Sequence, residues 1–261
     1  MTEDPRRKEE RHSPAPRCAY CQREACDDPR CRKLRAEQVD ARKEDLERRS
    51  QVEALARDHE RDLRAAHGSA IPERILRARL PANEQPIVPL REERRAVFAE
   101  NISAALDRAM SDPDRPFPET TETPADQGPL IRASCTACRG SCCSYGGDRA
   151  YLYPDHFRRL LRDHPGKSRE EILSEYRSHL PPAVYDGSCV YHTDSGCALP
   201  RSMRSNLCNT FLCGDLEDLL QAQPQEGAAL PVLAVCVREG AAEIVRSALF
   251  DGQGNPILPP A

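Results

Sequence analysis

Between Cys135 and Cys143 the chain places four thiols in nine residues, Cys135-Thr136-Ala137-Cys138-Arg139-Gly140-Ser141-Cys142-Cys143, and four more follow at Cys189, Cys197, Cys208 and Cys213. Thiolates are soft anionic donors that select Zn²⁺, iron or an iron–sulfur cluster over hard cations such as Mg²⁺. Eight of them suffice for two tetrahedral four-thiolate sites, or for one cluster with thiols to spare. The competing use of so many cysteines is a disulfide framework. The opening residues Met1–Glu10 lack the apolar stretch of a secretory signal. No later segment offers the roughly 18 apolar residues of a membrane span. A cytoplasmic chain is expected, where thiols stay reduced and clustered cysteines hold metals. Vicinal Cys142 and Cys143 would also close a strained ring if bridged.

A second array, Cys18, Cys21, Cys26 and Cys31, has the spacing C-x2-C-x4-C-x4-C. It can wrap one tetrahedral Zn²⁺ in the manner of a zinc knuckle, although the spacing matches no named finger type. The alternative is a thiol-rich tail that binds nothing. His192, three residues after Cys189, reads as a ligand, as a hydrogen-bond donor to a ligand, or as a surface-loop histidine. His156, His164 and His179 fall on predicted helices among charged neighbours and are expected to be exposed. Cys236 stands alone among Val and Ala and reads as core. Asp186, Asp194 and Asp215 flank the cysteines and either tune them or serve turns. The chain has no radical-SAM C-x3-C-x2-C array, no phosphate loop, no G-x-G-x-x-G and no H-E-x-x-H. No catalytic residue is identified, and the pattern leans away from an enzyme.

The elements that must position these thiols come from an unusual inventory. Aromatics make up 5% of the 261 residues, with no Trp, while 31% are charged and 23 are proline. One large core is hard to build from this composition, and metal would substitute for core in the smaller parts. The 38 basic and 42 acidic residues nearly cancel, which argues against a nucleic-acid partner. Composition divides the chain into a disordered tail (1–17), the four-cysteine knuckle (18–32), a charged solvent-exposed helix (33–67), a Pro-broken segment with an amphipathic helix (68–110), a linker (111–129) and a cysteine-cluster metal-binding domain (130–252).

In the charged helix, Glu44–Arg48, Asp45–Arg49, Glu53–Arg57 and Glu60–Arg64 are pairs four apart. Its apolar residues (Leu34, Val39, Leu46, Leu55, Leu63) are too sparse for a stripe, so it reads as a solvated spacer or an arm for a protein partner. Leu90–Met110 carries a stripe of Val97, Phe98, Ile102, Leu106 and Met110, expected to bury against the cysteine domain. Within that domain the pattern predicts a short strand at Tyr151–Tyr153. Helices are predicted at Asp155–Asp163, Arg169–Leu180 and Asp215–Gln221, the second opened by a Ser168/Glu171 capping box. Two strands follow, Val232–Arg238 and Glu243–Phe250, turning at Gly240. The expected fold class is α+β: a small metal-stabilised cysteine-rich domain with short helices and a small antiparallel sheet, preceded by a largely helical N-terminal region.

The segment Cys135-x2-Cys138-x3-Cys142-Cys143, then Gly187-Ser188-Cys189-Val190-Tyr191-His192, Gly196-Cys197-Ala198-Leu199 and Arg204-Ser205-Asn206-Leu207-Cys208-Asn209-Thr210-Phe211-Leu212-Cys213, resembles the YkgJ-type cysteine-cluster family, described as a zinc- or iron-chelating domain. The resemblance covers about residues 130–215. Two positions depart from the pattern: Ser205 stands where the family usually has Pro, and Asn209 where it usually has Arg. Neither removes a thiolate. The resemblance implies a cytoplasmic zinc- or iron-chelating protein in which the eight cysteines organise one or two metal centres. One branch resembles flagellin lysine N-methylases, so the alternative is an iron–sulfur redox enzyme or a protein methyl-transfer component. A saturated four-thiolate zinc site is structural, whereas a fully ligated iron–sulfur cluster can still move electrons.

Overall fold

The computed structural model describes residues 28–116, 128–224, 226–238 and 240–258. The tail, Cys18, Cys21, Cys26 and most of the linker therefore lie outside the described residues. The fold is mixed α/β, with several helices and three small sheets. No helix among the described residues is long and apolar enough to cross a membrane.

The chain divides into two units, residues 1–51 and 52–261. Helix α1 (Pro29–His67) runs through the boundary. In the first unit it is charged and solvated: Val39 and Leu46 are exposed, and Asp45 pairs with both Arg48 and Arg49. In the second unit it is not a solvated spacer. Val52 and Ala56 are buried, Leu63 is partly covered, and His59 hydrogen-bonds Ser247 at 2.7 Å. These four residues recur at helical spacing, a stripe that a search for large aliphatic side chains passes over.

The sheet beneath this stripe has the order β1-β6-β7, where β1 is Leu76–Pro81, β6 Val232–Val237 and β7 Ile244–Phe250. The β6–β7 hairpin is antiparallel as expected, but β1 joins β6 in parallel, from Leu76 opposite Val232 to Pro81 opposite Val237. The sheet is thus mixed rather than purely antiparallel. Pro72 and Pro81 bracket a strand instead of breaking one. The unbroken apolar run of β6 follows from its place in the middle, covered on both faces. Leu233 and Val235 pack with Ala56 and Ile71. Val232, Ala234 and Cys236 face Leu130 of α3 (Gly128–Cys138) and Leu216 and Leu219 of α7 (Gly214–Ala222).

A second core is built from helices. Helix α2 (Glu92–Ser111) packs against α4 (Pro154–Asp163), α5 (Arg169–Ser178) and the tight-turned segment Ser141–Arg149. Its buried stripe is Phe98, Ile102, Ala105, Leu106 and Ala109, whereas Val97 and Met110 remain 44% and 47% exposed. Tyr191 closes this core edge-on to Phe98 at 5.3 Å. The Ser168/Glu171 capping box opens α5 as the sequence predicts. The strand expected at Tyr151–Tyr153 is instead a turn, with Ala150 at φ 50° and Tyr151 at φ 56°.

His156 is buried, contrary to its charged neighbours. Arg159 donates to Nδ1, Nε2 meets the Tyr176 hydroxyl at 2.5 Å, and that hydroxyl donates to the Met203 carbonyl. Two short pairs complete the fold: β2 (Ile87–Pro89) with β3 (Ala183–Tyr185), and β4 (His192–Thr193) with β5 (Gly196–Cys197).

Candidate metal centre

The eight cysteines lie on or beside elements of both cores. Cys135 and Cys138 end α3, and Cys213 caps the N-terminus of α7, both helices lying on the sheet. Cys142 and Cys143 follow in the tight-turned segment. Cys189 precedes β4, Cys197 ends β5, and Cys208 lies in α6 (Asn206–Thr210). All ten described cysteines are free thiols.

The chain reverses sharply between Cys138 and Cys142. Arg139 and Gly140 are both left-handed, at φ 57° and 65°. With Ala150 and Tyr151, Arg139 accounts for every non-glycine residue at positive φ among those described. Left-handed backbone costs roughly 1–2 kcal/mol per L-residue. All three lie between residues 139 and 151, around the vicinal pair, and local strain concentrates at functional sites.

His192 holds this reversal and is not exposed. Ser188 Oγ meets its Nδ1 at 2.7 Å, and the ring is hydrogen-bonded to the Arg139 backbone, whose carbonyl also accepts from Asn83 Nδ2 at 3.2 Å. These contacts tie the ring to the reversal, so His192 clamps it. Burial pushes it down to about 4, so it stays neutral. A Cβ on Gly140 would stand 2.6 Å from His192 Nε2 and 3.4 Å from Cys143 Sγ, so the ring and the thiol flank one point.

The thiols have donors suited to anionic sulfur. The Ser141 amide donates to Cys138 Sγ at 3.3 Å, and Ser205 Oγ donates to Cys208 Sγ at 3.2 Å while accepting from the Cys208 amide. A proline at 205 has no hydroxyl for either contact. Tyr151 donates to the Cys142 carbonyl at 3.3 Å, and its ring lies against Gly146. Gly146 serves close approach: a Cβ there would meet Cys189 Sγ at 3.2 Å.

Burial pushes the Cys138 and Cys189 thiols up to about 12, and does the same to Cys135 despite its exposed face. Cys142 is held down to about 7 by the hydrogen bond it accepts from Cys143, whose own thiol is pushed up by donating it. Buried sulfurs without a cation thus favour the thiol, and a soft cation would reverse that preference.

Arg94 of α2 had no sequence signal. It donates to Asp148 Oδ1 at 2.7 Å and to the Ser188 carbonyl, its charge favours the Cys189 thiolate, and its buried Nη1 has no partner. An orphaned buried donor on a cation that favours a nearby thiolate fits a site that becomes anionic when loaded. Cys236 is buried in β6 within electrostatic reach of Cys138, on the sheet face that carries α3. Cys31 is buried at the start of α1, the only member of its array among the described residues.

As they stand, no three His, Cys, Asp or Glu side chains among the described residues form a group that could hold a metal ion. The sulfurs approach one another in pairs and do not make a closed shell. Beside the turn a polar cleft of about 430 Å³ is lined by Asn83, Ser141, Tyr145, Asp186 and Arg238, among others. Its Arg238 is committed to Glu84 and Glu243, so it offers no unpaired cation to an anionic substrate. No family model matches the chain, and no curated protein or solved structure matches it either.

Proposed function

We propose that this chain is a soft-metal-binding protein of the cytoplasm, in which Cys135, Cys138, Cys142, Cys143, Cys189, Cys197, Cys208 and Cys213 take up zinc or iron and the loaded centre ties the two cores together. What supports the reading is a set of eight free thiols, 78 residues apart at the extremes, that lie in electrostatic reach of one another pair by pair, from Cys135 to Cys142 and Cys213, from Cys143 to Cys189 and Cys197, and from Cys208 to Cys142 and Cys197. The thiols are held beside N–H and O–H donors and an unpaired buried guanidinium nitrogen. The donor chemistry is thiolate throughout, with His192 occupied elsewhere, and thiolate sets take Zn²⁺ or iron.

A bound Zn²⁺ would supply charge neutralisation and a cross-link, with no open position for a substrate. Metal uptake releases thiol protons and adds its binding energy to folding. The array Cys18, Cys21, Cys26 and Cys31 is a candidate for a separate zinc site, on an N-terminal arm suited to a protein partner.

The test is metal per chain by mass spectrometry on the full chain purified without oxygen, read beside its visible spectrum. Stoichiometric zinc without colour is the expected result. Iron with acid-labile sulfide keeps the ligands and moves the function to electron transfer. A metal-free chain that resists protease fully and takes up neither Zn²⁺ nor iron overturns the proposal.

A further inference from the structure

We infer that the vicinal pair Cys142–Cys143 is by itself a two-thiol site for trivalent arsenicals of the form R–As(OH)₂, which it captures as a cyclic dithioarsenite. The site goes beyond the zinc- or iron-binding reading, because it needs two sulfurs only and no cation.

The pairing of the sulfurs selects the chemistry. The Cys143 thiol donates a hydrogen bond to the Cys142 sulfur, whereas no three His, Cys, Asp or Glu side chains among the described residues form a group for a metal ion. A partner that fits the pair as it stands takes two soft donors and brings the rest of its own coordination. Trivalent arsenic does so, keeping one bond to R and exchanging two for sulfur. The balance is R–As(OH)₂ + 2 R′SH → R–As(SR′)₂ + 2 H₂O. Two As–O bonds break and two As–S bonds form, the thiol protons leave with the hydroxyl groups as water, and no electrons are transferred. The product is neutral, so it adds no anion among the further thiols within electrostatic reach, Cys189 and Cys197 about Cys143 and Cys208 about Cys142. Its ring is one atom larger than that of a vicinal disulfide, which relieves the strain of bridging the two sulfurs directly.

The fold prepares the pair. The Cys143 amide donates to the Gly140 carbonyl at 2.8 Å, Tyr151 donates to the Cys142 carbonyl at 3.3 Å, and the Cys189 amide donates to the Cys143 carbonyl at 3.3 Å. A free peptide must freeze this backbone when the ring closes, whereas here it is already held. Both thiols are half-buried rather than sealed. Ser141 and Ser144, on either side of the pair, line the polar cleft of about 430 Å³ together with Tyr145. The turn that carries the pair is thus a wall of an open cleft, with room beside it for R.

The test treats the reduced, metal-stripped full chain with one equivalent of phenylarsine oxide, which hydrates to the R–As(OH)₂ form. Remaining thiols are alkylated with iodoacetamide, and the chain is digested with trypsin for mass spectrometry. Cleavage after Arg139 and Arg149 releases residues 140–149, which hold Cys142 and Cys143 and no other cysteine. That peptide is expected to carry the arsenical with neither thiol alkylated. In Cys142→Ser its remaining thiol is expected to be alkylated and free of arsenic. Alkylation of both thiols in the unaltered chain, with the arsenical on another peptide such as that of Cys135 and Cys138, overturns the site. A synthetic peptide of residues 140–149 separates the fold from the mere adjacency of two cysteines. The folded chain is expected to hold the arsenical against at least tenfold more monothiol than the peptide does, and equal retention overturns a site built by the fold. Zinc uptake by the same stripped chain is measured in parallel. Its failure strikes the metal-binding reading and leaves this site standing, and failure of arsenical capture does the reverse.

Discussion

Gly140→Ala is the sharpest probe of the turn that presents Cys142 and Cys143, and Gly187→Ala is its control. Both glycines are left-handed, at φ 65° and 64°, so an added methyl group costs each roughly 1–2 kcal/mol in backbone strain. They differ in what the methyl group meets. At Gly187 nothing lies within 4 Å, whereas at Gly140 the new Cβ would stand 2.6 Å from His192 Nε2 and 3.1 Å from Cε1. The ring cannot yield cheaply, because it is buried and held by Ser188 and the Arg139 backbone. Displacing it breaks two hydrogen bonds and leaves buried polar groups unpaired, which adds about 2–3 kcal/mol. Gly140→Ala should therefore cost about 3–5 kcal/mol against about 1–2 for Gly187→Ala.

With no Trp in the chain, far-ultraviolet circular dichroism through urea unfolding is the suitable readout. A double-mutant cycle with His192→Ala isolates the clash: removing the ring frees the space, so the double variant should be less destabilised than the sum by about 2 kcal/mol. Equal losses for the two glycine variants, or strict additivity in the cycle, would refute the clamp.

His156 gives a pH dependence. Burial, then Arg159, pushes it from 6.5 down to about 3, so the fold holds it neutral while the unfolded chain protonates it. Its contribution is full above about pH 6.5 and is lost as pH falls toward about 3, by up to about 1.4 kcal/mol per pH unit. His156→Phe should flatten that slope in denaturant midpoints measured across the window, and an unchanged slope would refute it. Ser205→Ala removes an N-cap and the O–H···S contact, and should cost about 1–2 kcal/mol by urea unfolding. Arg94→Met strands Asp148 and removes a cation that favours the Cys189 thiolate; on the proposed function, titration against a chelator should show weaker Zn²⁺ retention than in the unaltered chain, and unchanged retention would count against a role for Cys189. On the proposed function, Cys236→Ala should leave metal uptake unchanged and cost only about 1 kcal/mol for the lost packing.

Where local physics decides, the sequence was readable. The Ser168/Glu171 box opens α5 because its hydrogen bonds are internal to four residues, and β6 and β7 pair because the Gly240 turn lies between two apolar runs. What could not be read depends on distant partners. Leu76–Pro81 looks broken by proline until β6 supplies a parallel neighbour 156 residues later. Val52, Ala56, His59 and Leu63 form a stripe only when Ala and His count as contact residues, which requires the sheet to be there. His156 sits among charges in sequence, yet it is buried because Tyr176 and Arg159 complete its hydrogen bonds. The cysteines read as potential soft donors by type and spacing, and the structure adds that the described ones are free thiols. Arg94 was not legible at all, being one arginine in a helix rich in them.

The small size of the two cores bears on why a chain would use thiols between them. Each of the two cores is small, and few aromatics are available to enlarge either. Burying more aliphatic side chains between them would need surface that neither possesses. A thiol is a compromise. Protonated, it packs as a small apolar group, which burial favours at Cys138 and Cys189. On the proposed function, a loaded thiol would become one arm of a metal cross-link between α3 or α7 and the hairpin side. On this reasoning metal removal should loosen the junction before it unfolds either core. Amide exchange should quicken first at residues 139–151, where the backbone is strained and adjoins the sulfurs, and last at β6, which is covered on both faces. Equal quickening in β6 and in 139–151 on chelation would show that the metal sustains the cores themselves and that the junction has no separate stability.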